Sequence, residues 1–479
     1  MSSQPAGPST PPPPPQPGYY AALRYTGIPA SWIRRPKLPS RNWLIFLSLT
    51  SSVLGLYTYD RRKCKQIRQQ YVDRVKYLAE QPLQSWDLPR KVTVYSAKWP
   101  GDDDYNRCVQ YFRKYVKPIL VAAAVDYEIV NGKRHGDLAG IITDRIKSRR
   151  RSELGLDPPP NVMIPLSKKE TPEQRMQREL RGGSVIIGRN TLKEYMRGLK
   201  AGWTESLEKV DREDGLSREL DGDGHFDEPE LADPSASIDG EPIPTKSRLM
   251  PSKSTALFSP LKMGAPPPST MSTPIPAAAN APPDNIPPQP PLLLVPFINY
   301  LGIKQIPLMI WDFFNQRKKV QAGAEAAYTL IEGQQRPIIP PSSPSSPESE
   351  LSPPPTASHS DLDFDREAEW YYKNSLKKFS SEIDDARKEY YKALPKKLET
   401  ARALSRGTRE PTKDEKNFPP PTEVELRAER MKKELRWRGD LAGWEIVRPE
   451  SEVAWDDRFR GSLSIFTQRH GDEPDSKSE

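Results

Sequence analysis

One apolar run constrains this chain more than any other feature. Residues 42–59 read NWLIFLSLTSSVLGLYTY and contain no charged side chain. As a helix the run would rise about 27 Å, close to the roughly 30 Å hydrocarbon core of a bilayer. Trp43 stands at one end and Tyr57 and Tyr59 at the other, as expected of rings at two membrane interfaces. The run therefore predicts a single transmembrane helix, with a buried core helix as the alternative.

The leader before this run points to a mitochondrial address. The first 59 residues contain no Asp or Glu but five Lys or Arg. The apolar run starts too late for a secretory signal peptide, and no small-residue cleavage site follows it. An acid-free, Arg- and Ser-containing leader is typical of mitochondrial import, and residues 19–35 are the best candidate for the signal. Cations on both sides of the run leave its orientation undecided by charge.

Composition limits the chemistry of the remainder. The chain has 479 residues, 54 prolines and a mean hydropathy of −0.74, so a good part of it cannot pack a core. The two cysteines, Cys64 and Cys108, have neither metal-site nor redox spacing. Four scattered histidines form no ligand pair: His135, His225, His359 and His470. The net charge is +8, but the basic residues are interspersed with acidic ones, and the sequence shows no nucleic-acid-binding module. We predict no catalytic residue, no cofactor and no metal site.

Alternating patterns predict an α/β fold. Strands are expected at 91–97, 125–130 and 184–187, the second closed by Asn131-Gly132. Helices are expected at 104–117, at 137–151 and from Thr191 onward. The first of these would place Cys108, Tyr111, Phe112 and Tyr115 on one face. Strands that alternate with helices in this way predict a parallel sheet.

Two low-complexity stretches divide the chain. Residues 206–290 and 340–363 are rich in Pro, Ser and Thr with few large apolar side chains, so we predict disordered linkers. The last segment carries an amphipathic stripe of Tyr372, Leu376, Phe379, Ile383, Ala386 and Tyr390. The predicted organisation is a leader (1–41), a transmembrane helix (42–59), an α/β domain (60–205), a linker (206–290), a continuation of the folded domain (291–339), a linker (340–363), a C-terminal helical or α+β part (364–467) and a tail (468–479).

Two further segments invite a functional interpretation. Residues 292–314 are apolar but contain Lys304 and Asp312, so we expect a core or interfacial segment and not a second span. Glu219, Asp221 and Asp223, followed by Gly224 and later Glu230, approach a calcium-loop pattern. Glu stands at the first ligand position, however, and no helix is expected after the loop. An acidic disordered stretch is the favoured interpretation, with a calcium-responsive linker as an alternative.

Several blocks of the chain resemble a known family. PRKVTVYSAKWPGDDDYNRCVQYFRKYVKPILVAAAVDYEIVNGKRHGDL, LPSRNWLIFLSLTSSVLGLYTYDRR and GIKQIPLMIWDFFNQRKK are similar to the fungal Tim subunits of about 54 kDa, close to the 54.3 kDa of this chain. Those proteins belong to the mitochondrial carrier translocase of the inner membrane. The resemblance implies a matrix-facing N-terminus, a large domain in the intermembrane space and a role in inserting multispanning carrier proteins delivered by small Tim chaperones. It implies no active-site residue.

A fainter resemblance concerns nucleotide binding. The order of strands and helices, ending in V-I-I-G-x-x-T-L-x-E, is similar to the nucleotide-binding half of diacylglycerol and acylglycerol kinases. Gly188-Arg189-Asn190-Thr191 stands where those kinases carry G-G-D-G-T, so a cation replaces the Asp and Asn replaces a glycine. Residues 319–321 and 327–333 resemble the helix and strand that enter the kinases' second domain. This implies a degenerate lipid-kinase fold without kinase chemistry; an unrelated α/β sheet is the alternative.

Together these observations predict a non-enzymatic subunit of the carrier translocase. We expect a docking or scaffold domain in the intermembrane space, with inner-membrane lipids, channel-forming and other membrane subunits, small Tim chaperones and carrier precursors as partners, and no nucleic acid. The rival function is a membrane-tethered acylglycerol-type kinase or nucleotide-binding protein. Arg189 argues against the rival, because a permanent cation there would repel the metal that holds the nucleotide phosphates.

Overall fold

The computed structural model describes residues 40–82, 89–156, 172–208, 211–227, 280–341, 360–374 and 376–468. The chain divides into two compact units, residues 1–63 and 64–479. Residues 469–479 of the predicted tail and most of the predicted leader lie outside the described residues, as do 228–279 and 342–359 of the predicted linkers.

The first helix of the described residues, α1, runs from Arg41 to Ala79 and contains the predicted apolar run. Its large apolar side chains between residues 43 and 59 are exposed. The predicted transmembrane helix is nevertheless unsupported: in the described part of the chain no helix combines the length and apolarity needed to cross a bilayer. Hydroxyl side chains lower the hydrophobicity of the run. Three of them donate hydrogen bonds to main-chain oxygens of the same helix: Thr50 to Phe46, Ser52 to Ser48 and Thr58 to Gly55, at 2.9, 2.8 and 3.0 Å.

The second unit is built on a six-stranded sheet, and the predicted α/β class with a parallel sheet is confirmed. The strands are β1 (Lys91–Ser96), β2 (Asp126–Asn131), β3 (Ser184–Ile187), β4 (Leu292–Val295), β5 (Gln335–Pro337) and β6 (Ser464–Phe466). Their order is β2-β1-β3-β4-β6-β5. All neighbours are parallel except β5 and β6 at the edge. The sequence predicted the first three strands at nearly these positions.

Helices cover the sheet and extend beyond it. The helix bounds are α2 (Arg107–Tyr111), α3 (Lys117–Ala122), α4 (Asp137–Glu153), α5 (Pro172–Gly182), α6 (Arg189–Thr204), α7 (Arg212–Asp221), α8 (Ile306–Phe314), α9 (Gln316–Glu332), α10 (Glu369–Tyr372), α11 (Phe379–Ser405), α12 (Lys413–Asn417) and α13 (Glu423–Val447). A π-helical turn, Phe112–Val116, joins α2 to α3. The predicted helix at 104–117 is divided between α2 and this turn, and the four side chains expected on one face are all buried: Cys108, Tyr111, Phe112 and Tyr115.

Two predictions made for the middle of the chain are wrong. The disordered interpretation fails for residues 212–221, which form α7 with Asp211 as its N-cap; Leu216 on this polar helix is buried. Residues 327–333 do not form a strand but complete α9, which ends at Gly333 in the left-handed conformation that glycine tolerates. Apolar Ala, Leu and Ile in this stretch suit either structure, so the flanking helix decides the outcome.

Two apolar cores lie on the two faces of the sheet. One joins Val92 and Val94 to the α2–α3 segment and to α9, and Tyr71 of α1 packs edge-on against Tyr328 at 5.9 Å. The other joins Tyr95 and Ile186 to α4, to α6 and to apolar residues between 453 and 465. Because β-strand side chains alternate between faces, neighbouring residues of β1 serve different cores.

Candidate functional site

The candidate site lies at the carboxyl ends of β1 and β3. In the strand order β2-β1-β3-β4, the connection after β1 runs to β2 on one side and the connection after β3 runs to β4 on the other side. The gap between the carboxyl ends of β1 and β3 is therefore the switch point, where open α/β sheets usually bind ligands. β3 ends at Ile187, Gly188 follows with φ +78°, and α6 starts at Arg189. The residues predicted to form a degenerate phosphate loop are therefore brought to the position that a nucleotide site would need.

Thr191 closes the space between the two strand ends. Its hydroxyl accepts a hydrogen bond from the Ala97 main-chain N–H at 3.0 Å and donates one to the Ile187 carbonyl at 2.6 Å. The side chain is fully buried. One bond joins the residue after β1 to the start of α6, and the other joins α6 to the last residue of β3. The hydroxyl therefore has a structural role and is not presented to a ligand.

Arg189 is buried and fully engaged by a distant part of the chain. Its guanidinium forms an ion pair with Glu369 and donates to the main-chain oxygens of Leu362 and Phe364 at 2.8 and 3.0 Å. The cation that stands in place of the kinases' Asp is therefore bound within the chain itself. The segment 361–372 instead covers the start of α6 and supplies the negative charge and carbonyl oxygens that this cation needs.

Glu369 serves a second buried cation. Its carboxylate lies 2.6 Å from Nζ of Lys193, one turn along α6, and that ammonium also donates to the Arg448 carbonyl at 2.9 Å. The side chains of Arg189, Lys193 and Glu369 are only 5, 1 and 9% exposed. Burial lowers the pKa of Lys193, and the hydrogen bond to Glu369 opposes this shift. We call Arg189, Lys193 and Glu369 the buried ion cluster.

Three further polar side chains lie on α6 or on the segment that covers its start. Asp365 accepts a hydrogen bond from the Phe297 main-chain N–H at 3.1 Å, and burial raises its pKa to about 6. Asn190 is 3% exposed, and neither its amide nitrogen nor its oxygen has a hydrogen-bond partner within the described residues. Glu194 accepts from the Leu138 N–H at the start of α4, at 3.1 Å, and burial raises its pKa to about 8.

Two acidic residues of the stretch that approaches a calcium-loop pattern form ion pairs with arginines of α13. Glu219 forms a two-pronged ion pair with Arg438, at 2.7 and 2.8 Å, and Asp223 pairs with Arg430. The Arg430 guanidinium carbon lies over the Phe226 ring, 5.6 Å from the ring centre. Glu230 is outside the described residues. Across the ranges that are described, no group of three or more His, Cys, Asp or Glu side chains could hold a metal ion.

The cysteines and histidines remain dispersed. Cys64 and Cys108 are both buried and form no disulfide with each other, and burial raises the pKa of the Cys108 thiol, which donates to the Ala97 carbonyl. Burial lowers the pKa of His135 to about 4. His225 stacks on Tyr391, whereas His359 and His470 are outside the described residues.

Sequence reasoning missed Glu369, Asp365 and Lys193. Glu369 is 180 residues away from Arg189, and no local spacing connects them. Leu362, whose carbonyl binds Arg189, fell within a stretch predicted as linker. A usable signal was Asp361-Leu-Asp-Phe-Asp365, where regularly spaced apolar residues reappear after the Pro- and Ser-rich stretch.

The sequence of this chain is similar to known proteins over most of its length. Residues 20–395 match the family described as "Inner membrane protein import complex subunit Tim54". A mitochondrial import inner membrane translocase subunit TIM54 of Cryptococcus neoformans var. neoformans serotype D (strain JEC21) is 38% identical over 473 residues, covering 97% of this chain and 98% of that protein. The like-named subunit of Yarrowia lipolytica is 30% identical over 271 residues, 42% of this chain and 47% of the relative. The subunit tim54 of Aspergillus oryzae is 38% identical over 180 residues, 36 and 40% of the two chains. The chain thus belongs to the Tim54 family.

Proposed function

We propose that this chain is a non-enzymatic subunit of the mitochondrial inner-membrane carrier translocase. In this role it supports insertion of multispanning carrier proteins through a folded docking or scaffold domain. The relative from Cryptococcus, which matches nearly the whole chain, is named as an import inner membrane translocase subunit. Sequence similarity over nearly the full length of both chains supports a shared role.

The occupied switch point carries the non-enzymatic part of the proposal. An acylglycerol-type kinase or other nucleotide-binding protein needs main-chain N–H groups and a metal-holding carboxylate open to phosphates at this position. Here Glu369 and the carbonyls of Leu362 and Phe364 are bound to Arg189. The Thr191 hydroxyl is likewise hydrogen-bonded to main-chain groups. The chain's own residues fill the space in which that chemistry would occur.

We further propose that the N-terminal half of α1 attaches the chain to the inner membrane. Leu44, Phe46, Leu49 and Leu54 are among its exposed apolar side chains, and an exposed apolar surface of this size is costly in water. The N-terminus would face the matrix. The unit built on the six-stranded sheet, residues 64–479, which we call the sheet domain, would face the intermembrane space. In mitochondria with a ruptured outer membrane, added protease should degrade the domain after Asp60. Protection of that domain while intermembrane-space controls are cut would refute this orientation.

The partners we propose are the channel-forming and other membrane subunits of the translocase, the small Tim chaperones and the arriving carrier precursors. Chemical crosslinking of the intact complex, followed by mass spectrometry, would map each of them. We expect crosslinks from lysines of the sheet domain to small chaperones when a precursor is arrested in transit. Crosslinks confined to matrix proteins would contradict the proposed location.

Selective loss of import tests the function itself. Mitochondria depleted of this chain should insert a radiolabelled carrier precursor more slowly, measured by its protease protection and membrane integration. A matrix precursor with a cleavable presequence, imported in parallel, serves as the control and should be unaffected at early times. Equal loss of both precursors, or loss of neither, would refute a role specific to carriers.

A further inference from the structure

Helix α8 presents an unusual surface. Its sequence is IPLMIWDFF, and none of its nine residues is buried. Six large apolar side chains are each at least 40% exposed: Ile306, Leu308, Met309, Ile310, Trp311 and Phe313. A surface helix of a soluble protein normally buries one apolar stripe and shows a polar face to water. Here Ile306, Ile310 and Phe313 follow one stripe, while Leu308 and Trp311 lie away from it, so apolar surface continues around the helix.

The helix is held firmly despite this exposure. Just before it, the Gln305 side chain accepts from the Leu301 N–H at 2.8 Å and donates to the Tyr371 carbonyl at 2.7 Å. At the other end, Asp312 forms an ion pair with Lys319 of α9 at 2.6 Å. These polar contacts fix both ends of α8 to the sheet domain. The apolar surface is therefore displayed by a supported element and does not result from fraying.

The charges around α8 select one kind of partner. Lys304 precedes the helix and Lys318 follows it, and both are exposed. The one acidic side chain of the helix, Asp312, is neutralised by Lys319. On the adjoining π-helical turn, exposed Arg113 and Lys114 add positive charge, and Nζ of Lys114 donates to Gln316 at 3.1 Å. An apolar helix with Trp and Phe, bracketed by cations, is the composition that lies in the interface of an anionic bilayer.

We propose that α8 is an interfacial membrane helix that dips into an anionic lipid surface and holds the sheet domain against it. This contact is separate from the apolar part of α1, and it rests on the membrane location proposed above. A protein groove would cover one stripe, whereas lipid can receive Leu308 and Trp311 as well as Ile310. The cations on either side would pair with lipid phosphates while the apolar side chains enter the acyl region.

Local fluorescence tests this contact in the full chain. Cys64 and Cys108 are buried, so a cysteine introduced as Met309→Cys can be labelled selectively with an environment-sensitive fluorophore. With phosphatidylcholine vesicles containing cardiolipin, we expect a blue shift and quenching by brominated lipid. Both should weaken without cardiolipin, and in Lys304→Glu/Lys318→Glu. The same label at Val424→Cys on α13, where the side chain is 77% exposed, is the control and should stay aqueous.

One substitution separates lipid contact from other causes. Ile310 is 55% exposed, so Ile310→Asp should leave thermal unfolding unchanged while reducing insertion of the 309 label at least about tenfold. An unquenched label on vesicle-bound chain would overturn the proposal. Shielding that appears only with a second protein, or only at high concentration of this chain, would also overturn it and indicate a protein partner. Carrier import is a separate readout, so its loss or retention does not decide this question.

Discussion

The buried ion cluster makes the sharpest prediction about stability. Glu369→Gln removes the carboxylate shared by Arg189 and Lys193 while keeping the size of the side chain. Breaking a buried ion pair typically costs about 3–5 kcal/mol, because a charge is left without its counterion. Both cations keep main-chain oxygen partners, at Leu362 and Arg448, so we expect the lower end of that range, about 3 kcal/mol.

The cost should depend on pH with a definite sign. Burial already holds the pKa of Lys193 below 10.5, and loss of the carboxylate should lower it further. Below that pKa the folded variant must keep a buried ammonium without its counterion. Between the folded pKa and 10.5 the unfolded chain binds more protons than the folded one, so stability rises with pH. The penalty of Glu369→Gln should therefore shrink as pH is raised toward 10.5.

Urea unfolding followed by tryptophan fluorescence would measure this penalty. The matched control is Glu367→Gln, an exposed glutamate of the same segment, which should change the free energy of unfolding by less than about 0.5 kcal/mol. Adding Arg189→Met to Glu369→Gln should recover about 1 kcal/mol or more, because one of the two stranded charges disappears. A Glu369→Gln chain as stable as wild type, with no recovery in the double variant, would refute the cluster's role.

Three further perturbations test other contacts of the sheet domain. Thr191→Val should cost about 1–3 kcal/mol in urea unfolding, since it leaves the Ala97 N–H without its acceptor; Thr204→Val, which loses only a bond to its own helix, should cost less. The pKa of Glu194 is raised from 4.5 to about 8 in the folded state, so the folded chain binds an extra proton and stability falls as pH rises through that window. Glu194→Gln should flatten this dependence of stability on pH. An unchanged slope would show that Glu194 is not its source. Gly443→Ala would place a Cβ 1.9 Å from the His135 carbonyl oxygen and should lower the melting temperature, whereas Gly439→Ala, with open space around it, should not; equal melting temperatures would contradict the packing of α13 on this loop.

The sequence predicts the parts of this fold that are locally encoded. β1 and β2 follow runs of alternating or β-branched residues, and the helix after β1 buries the four side chains that its spacing placed on one face. By contrast, β5 and β6 are three residues each, too short to show a period. β6 joins the sheet beside β4 through Leu292 and Ile465, residues far apart in the sequence. Pairings of that kind depend on the assembled core.

The candidate site shows the same division. The sequence located the turn at Gly188 and the cation that follows it, and predicted only that this cation would repel a nucleotide's metal. Its partner is Glu369, in a segment that follows a Pro- and Ser-rich stretch, and only tertiary structure brings the two together. Likewise, Glu219 and Asp223 resemble calcium ligands by spacing, yet α13 supplies arginines that a local pattern cannot reveal. Charged residues are the least predictable here because their roles are decided by distant partners.

The central claim is that the chain acts as a scaffold for carrier insertion and that its switch point performs no chemistry. The most direct test is carrier insertion in mitochondria whose only copy of this chain carries Arg189→Met/Lys193→Met/Glu369→Leu, because apolar residues of similar size often replace a buried ion cluster without loss of stability. At matched protein levels, we predict the wild-type rate of carrier insertion. A several-fold slower rate with a folded, membrane-bound variant would contradict the account and assign a functional role to the buried ion cluster.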